Sequence, residues 1–198
     1  MSQFNLQTHS LIDLNYDQGL LPQRNKKDLF YQDTSCRSNL ASFNLSSENR
    51  RILNNTQNFT FKVLDLKQFN FDLSVQKLCY SWIKSLGWHF PISSLKTIFT
   101  NHIFNTIYVW QDENNKIVAY SICYFSESIS HIAYVFYDPN SNYKNLPIRL
   151  VLQAIIDSHN KGLTYCYLGR FSPPTTGYYK RTMPGFEYFA KGKWITYN

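Results

Sequence analysis

TIYVWQDENNKIVAYSICYFSESISHIAYVFYDP, residues 106–139, decides the fold. Three apolar runs rich in Ile, Val, Tyr and Phe are separated by two polar stretches, Asp112-Glu113-Asn114-Asn115 and Ser126-Glu127-Ser128. β-Branched and aromatic residues suit a pleated, packed surface, while Asn, Asp and Ser support turns. The pattern predicts strands over 106–111, 116–125 and 129–138, joined as an antiparallel meander. Downstream the period changes. Leu146, Leu150, Val151, Ala154 and Ile155 recur at helical spacing, predicting a helix over about 145–161 that Gly162 ends. Leu163 to Leu168 then reads as a short buried strand. The order β-β-β-α-β predicts an α/β fold with a mixed, mostly antiparallel central sheet flanked by helices.

Upstream, Phe59 to Leu66 alternates and suggests another strand. Asp72 or Ser74 starts a helix in which Val75, Leu78, Cys79, Trp82 and Leu86 share one face, and Gly87 is a fitting stop. Ser93 and Ser94 start a second helix with Leu95, Ile98, Phe99 and Ile103. Ser46 or Ser47 can cap a short helix carrying Arg50, Arg51 and Leu53. Residues 1 to about 38 show no periodicity; Leu20 to Arg24 read as loop, with Arg24, Lys26 and Lys27 a small basic cluster. Ser172 to Met183 reads as irregular, and 187–197 as a closing hairpin around Lys191-Gly192.

The 198 residues carry a net charge of +7, which suits a polyanionic partner. Charged residues are only 17%, however, and the basic ones are scattered, so a solvated basic surface accounts for the charge equally well. Cys36, Cys79, Cys123 and Cys166 stand far apart, which predicts reduced, mostly buried thiols and neither a zinc site nor a disulfide framework. His9, His89, His102, His131 and His159 lack metal-ligand spacing and read as structural or exposed. No nucleophile elbow, P-loop or paired-carboxylate pattern is present. Nor is there an apolar signal core at Met1 to Ser10 or a run long enough to span a membrane, so a cytoplasmic protein is expected.

Two stretches invite functional readings. Tyr137-Asp138-Pro139 ends a strand before a helix, where open α/β sheets bind ligands; on these residues alone, a turn fixed by Asp138 and Pro139 is the simpler reading. Tyr178, Tyr179, Lys180 and Arg181 form an aromatic–basic cluster near Arg170 that could stack on a base and neutralise a phosphate, or form a solvated loop.

The β-β-β-α-β order matches the acyltransferase fold typified by the GNAT acetyltransferases. Within that fold, residues from about Ile117 to Trp194 resemble the catalytic domain of the aminoacyl-tRNA–protein transferases, the arginyl- and leucyl-transferases of the N-end rule. Val118-Ala119-Tyr120 resembles that family's central strand, and Tyr134 to Pro139 its Tyr-Asp-Pro strand end. Gly162 to Gly169 resembles its Tyr-Leu-Gly segment, and Tyr179-Lys180 its Tyr-Lys pair. A second match runs from Cys36-Arg37 through Phe43 to Ser47, Asn49, Arg50 and Arg51.

The resemblance implies an aminoacyltransferase; the family's Cys-rich module binds a metal or iron–sulfur cluster, and with only Cys36 in that region no cofactor or metal is expected here. It would move an amino acid from aminoacyl-tRNA to the N-terminus of an acceptor protein. Tyr137 and Asp138 would line the catalytic site, with Asp138 orienting or accepting a proton from the attacking amine. Tyr167, Arg170, Tyr178, Tyr179, Lys180, Arg50 and Arg51 would hold the acceptor end of the tRNA or an acidic N-terminal residue. Residues 1–45 would be a short appendage lacking the family's Cys-x-x-Cys module, and 46–198 the GNAT-like domain. Two alternatives stay open: a GNAT-type N-acyltransferase using acyl-CoA, and a non-catalytic tRNA- or protein-binding module. Against the first, Ser141 to Pro147 holds no glycine where the acetyltransferases have a Gly-rich pyrophosphate loop.

Overall fold

The computed structural model describes residues 10–171 and 178–196, with the backbone alone for Ser141 and Tyr178. The chain opens with α1 (Leu11–Asp17) and a small hairpin of β1 (Leu20–Pro22) and β2 (Phe30–Gln32). Then come β3 (Ser35–Asn39), α2 (Ser47–Asn55), β4 (Thr60–Asp65), α3 (Leu73–Ser85) and α4 (Ile92–Thr100). The meander is β5 (Thr106–Gln111), β6 (Ile117–Phe125) and β7 (Ile129–Tyr137). It is followed by α5 (Leu146–Asn160), β8 (Tyr165–Arg170), β9 (Phe186–Ala190) and β10 (Lys193–Thr196).

Local chemistry sets the boundaries. Ser46 and Asn49 form a reciprocal capping box that starts α2. The Asp72 carboxylate accepts from the N–H groups of Ser74 and Val75 and starts α3. Between β5 and β6, Asp112 accepts from the N–H groups of Asn114 and Lys116, and Asn115 takes a left-handed conformation with φ 61°.

The main sheet has eight strands in the order β10-β9-β3-β8-β7-β6-β5-β4. Every pair is antiparallel except β7 with β8, the pair that α5 connects. This is the predicted mixed, mostly antiparallel sheet. Each face has its own core. On one, Leu150, Val151, Ala154 and Ile155 of α5 pack with Cys123, Ile132, Cys166 and Leu168. On the other, Trp82, Ile83, Leu95, Ile98 and Phe99 of α3 and α4 join Tyr16, Tyr120, Phe136 and Tyr167. All four cysteines are buried and unpaired.

The sequence reading departs from the structure before residue 46. The expected boundary at 45 is no break in the sheet, because β3 is an interior strand between β8 and β9. Ser-Cys-Arg-Ser-Asn has no apolar alternation, yet its first four residues are buried. Polar bonds replace apolar packing there. Ser35 Oγ donates to the Gly19 carbonyl at 2.9 Å, and Ser38 Oγ donates to the Pro184 carbonyl.

Arg37 is the largest of these polar groups. Its Nε meets Glu187 at 2.8 Å, and its Nη1 reaches Asp17 and the Tyr167 hydroxyl at 3.4 and 3.3 Å. The guanidinium lies over the rings of Tyr165 and Trp194 at 3.5 and 4.0 Å. It thereby ties α1, β3, β8, β9 and β10 together. Replacing Arg37 by Met leaves Glu187 largely buried with only the Asn39 amide as side-chain donor among the described residues. Urea denaturation is expected to show a loss of about 3 kcal/mol, much of it restored by adding Glu187→Leu. A loss confined to a few tenths of a kcal/mol, as for surface pairs, would contradict this reading of Arg37.

A candidate active site at the strand fork

β7 and β8 pair only from Ile129↔Tyr165 to His131↔Tyr167. Two residues later β7 carries a bulge. Its register against β6 jumps from Ile122↔Tyr134 to Cys123↔Ile132, leaving Ala133 extra. A bulge bends and over-twists its strand. Here β7 keeps its pairing with β6 and leaves β8, so the sheet forks.

Two cavities that share Arg24, Ala133 and Tyr134 occupy the fork. The larger, about 600 Å³, lies on the α4 side and is lined by Gln23, Arg24, Ser94, His131, Gly169 and Arg170, among others. The smaller, about 250 Å³, is lined by Ile132 to Phe136 on one arm and by Leu168, Tyr179 and Lys180 on the other. Val151 of α5 and Trp88 to Phe90 complete it, so the fork reaches from the α4 side down to the α5 core.

Lys180 occupies the edge that β7 vacates. Its Nζ donates to the carbonyls of Leu168 and Arg170, at 2.7 and 2.6 Å. Alternate residues of β8 direct their carbonyls to the same side, and these two face the departed neighbour. Burial lowers the Lys180 pKa, opposed by the nearby Cys36. Burial also pushes the Cys36 thiol up to about 11, so it is no nucleophile at neutral pH. Its Sγ donates to the Gly169 carbonyl at 3.3 Å.

At the vertex of the fork stands His131, 3% exposed. Its Nδ1 is 2.7 Å from the Tyr16 hydroxyl, and its Nε2 has no hydrogen-bond partner among the described residues. Burial, then Lys180 and His102, depress its pKa to about 3, so the imidazole is neutral at physiological pH. At the rim, the Arg24 guanidinium lies 4.3 Å from the centre of the Phe90 ring and near the Tyr134 phenol. Arg170 pairs with Asp33 at 3.2 Å.

Of the residues singled out from sequence, Arg170, Tyr179 and Lys180 line the fork. Tyr178's side chain lies outside the described residues. Tyr167 is buried on the α1 side between Tyr16 and Trp194, and its hydroxyl accepts from Arg37. Tyr137 packs edge-on to Trp88 of the smaller cavity's wall but lines neither cavity itself. Asp138 follows it, with one carboxylate oxygen on Lys116 at 2.9 Å and the other on the Asn140 N–H. Those bonds are the turn-forming use of Asp138. Arg51 pairs with Glu48 on the exposed face of α2, and Arg50 donates to the Leu45 carbonyl. His131 and Arg24 were not singled out as site residues. One reads as an ordinary strand residue and the other as part of a loop cluster, and only the fork brings them together. Among the described residues, no three His, Cys, Asp or Glu side chains are placed to hold a metal, and no helix is long and apolar enough to cross a membrane.

No family model matches the chain. Its sequence is similar to the aspartate/glutamate leucyltransferase of Acinetobacter baumannii, 23% identical over 173 residues. The match takes in 84% of this chain and 63% of the relative, so the chain spans less than two thirds of that protein's length. The resemblance to the aminoacyl-tRNA–protein transferases is thereby supported across most of the chain. Among solved structures, FemX superposes over 92% of this chain and 67% of its own, with a TM-score of 0.58 and 10% identity. The C-terminal domain of a protein described as a lysylphosphatidylglycerol synthetase, from Agrobacterium fabrum, covers 70% of this chain and 46% of its own. Its TM-score is 0.51 at 13% identity. At such identities the likeness concerns the fold, the GNAT-like acyltransferase arrangement expected from sequence.

Two measurements test the polar groups of the fork. Lys180→Met leaves two strand carbonyls without their donor, and a stability loss of about 2 kcal/mol is expected in urea; an unchanged midpoint would rule out that bracing role. For His131, the unfolded chain takes up a proton near pH 6.5, whereas the folded chain does so only at about 3. Stability is therefore present above that window and falls as pH is lowered through it, by up to about 1.4 kcal/mol per pH unit from this group. His131→Gln is expected to flatten the pH slope, and equal slopes in the two proteins would contradict the buried neutral imidazole.

Proposed function

We propose that this chain, related in sequence to an aspartate/glutamate leucyltransferase, is an aminoacyltransferase. It moves an amino acid from aminoacyl-tRNA to the α-amine of an acceptor protein's N-terminus. The similarity over 84% of the chain carries this reading. The fork supports it. An aminoacyl ester is already activated, so the protein's work is to bring two substrates together, exclude water and stabilise charge on the carbonyl oxygen. Two adjoining cavities that share Arg24, Ala133 and Tyr134 can hold the aminoacyl end and the peptide side by side. An aminoacyl-tRNA donor also agrees with the cytoplasmic location expected from sequence.

The arginines of the rim suit an acidic acceptor residue. Arg24 rests on a ring, and its fork of N–H groups can take a carboxylate with two parallel bonds. Arg170 is already paired with Asp33, and we assign it a supporting part. Lys180 is committed to β8, so its part is to hold one wall of the cleft. The acyl-CoA alternative lacks its phosphate loop. Ser141 to Tyr143 form a single 3-10 turn, and α5 begins at Leu146 with no side-chain hydrogen bond from its N-cap Asn145.

The test is a transfer assay with charged tRNAs and peptides of varied N-terminus, and acetyl-CoA run alongside. Label is expected to pass from tRNA to peptides that begin with Asp or Glu. Arg24→Ala should lower kcat/KM for those peptides about tenfold and leave neutral peptides nearly unaffected, the scale of one charge-assisted bond. Acetyl transfer without aminoacyl transfer would move the protein to the acetyltransferases.

A further inference from the structure

At the vertex, the His131 Nε2 is buried and has no hydrogen-bond partner among the described residues. Nε2 lies 3.6 Å from where a Cβ on Gly169 would stand, and both residues line the larger cavity. The bond at its other nitrogen fixes which tautomer is present. If Nδ1 carried the proton, it would donate to the Tyr16 oxygen. The buried phenol hydrogen and the bare Nε2 would then both lack partners. With Tyr16 as donor, Nδ1 accepts, and one group alone remains unpaired, the buried Nε2–H beside Gly169. Burial holds the Tyr16 pKa well above its ordinary value, so the phenol keeps its proton. An unsatisfied buried donor costs about 1–3 kcal/mol, and the second arrangement leaves the fewer.

The depth of this donor identifies what it serves. A permanent anion is better met by the charged arginines at the rim. A buried, uncharged N–H suits an oxygen that enters neutral and gains charge only during reaction. We infer that His131 Nε2–H donates to the carbonyl oxygen of the reacting aminoacyl ester, with Tyr16 as the positioning residue that fixes the tautomer. This rests on the proposed transfer function. The attacking amine's lone pair forms the new N–C bond, and the carbonyl π electrons move to the oxygen held by Nε2–H. Collapse re-forms the C=O bond and breaks the C–O bond to the ribose. One proton passes, in net, from the amine to the leaving ribose oxygen. His131 gives up none.

Two readouts separate this inference from the function beneath it. The first is ¹⁵N NMR of the histidine side chains in the full chain, with His131 assigned by its loss in His131→Gln. The Nε2–H tautomer is expected, with its signal shifting when 3′-leucylamido-3′-deoxyadenosine is added, since that amide carbonyl replaces the ester. An Nδ1–H tautomer, or an Nε2–H indifferent to the probe, overturns the assignment. The second is kinetic. His131→Phe should lower kcat about 100-fold with little change in KM, the scale of one oxyanion donor. His131→Gln, whose amide can place an N–H near the same point, should recover most of it. Full activity in a folded His131→Phe protein overturns the role of His131 and leaves the transferase reading standing. A wild-type protein without transfer overturns the transferase reading, and the NMR result then decides alone whether His131 binds a carbonyl. If His131→Phe does not fold, His131→Gln against wild type and the NMR on native protein still decide.

Discussion

One extra residue governs the architecture. Ala133 has no partner on β6, and from that point β7 no longer runs beside β8. The bulge also resets which side chains face which core. Ile129 and His131 face the α1 side before it, whereas Tyr134 and Phe136 face α3 and α4 after it. Without the reset, the outer half of β7 would turn its aromatic residues to α5. The same local event thus fills a core and opens a cleft. It accounts for the position of every polar group in the candidate site, because each either lines the gap or braces a strand the gap has exposed.

Two cations, Lys180 at the gap and Arg37 on the far side of β8, brace the sheet in different ways, and their chemistry explains the division. Lys180 offers a compact ammonium that fits between two carbonyls on one strand edge. Arg37 offers a plane, with carboxylates at its edge and rings on its faces. Neither is available to a substrate without loss of the structure it holds. Basic residues picked out by motif therefore divide into those that make the site and those that make the protein. Only the rim arginines are placed to do the first.

The meander and helices α3 to α5 were legible because their apolar periods are long and regular, and α2 from its serine cap, whereas α1 and β1 fall where the sequence reads as aperiodic chain and loop. Residues 106–137 and 146–160 fall within a residue or two of expectation. β3 was not legible, since a strand buried by hydrogen bonds leaves no hydrophobic pattern to read. The site was legible in part. Tyr179-Lys180 stood out through a resemblance and Arg170 beside an aromatic–basic cluster, and all three line the fork. Asp138 and Tyr137 stood out as a motif at a strand end, but β7 ends beyond the cleft, and they serve the turn there. His131 and Arg24 meet only through a bulge and a fork. Neither feature has a signature in a run of Ile, Ala, Tyr and Val.

The place of β3 has a consequence for how the chain is made. β4 to β7 lie in the sheet in the order of synthesis, so each can pair with its predecessor as it emerges. β3 leaves the ribosome before them and waits. Arg37 meets Glu187 only after 150 further residues, on the order of 10 s at ordinary rates of elongation. An apolar strand left unpaired that long invites aggregation. Ser35, Arg37, Ser38 and Asn39 stay hydrated instead. The composition that hides β3 from a hydropathy reading is what lets it remain soluble until its neighbours arrive.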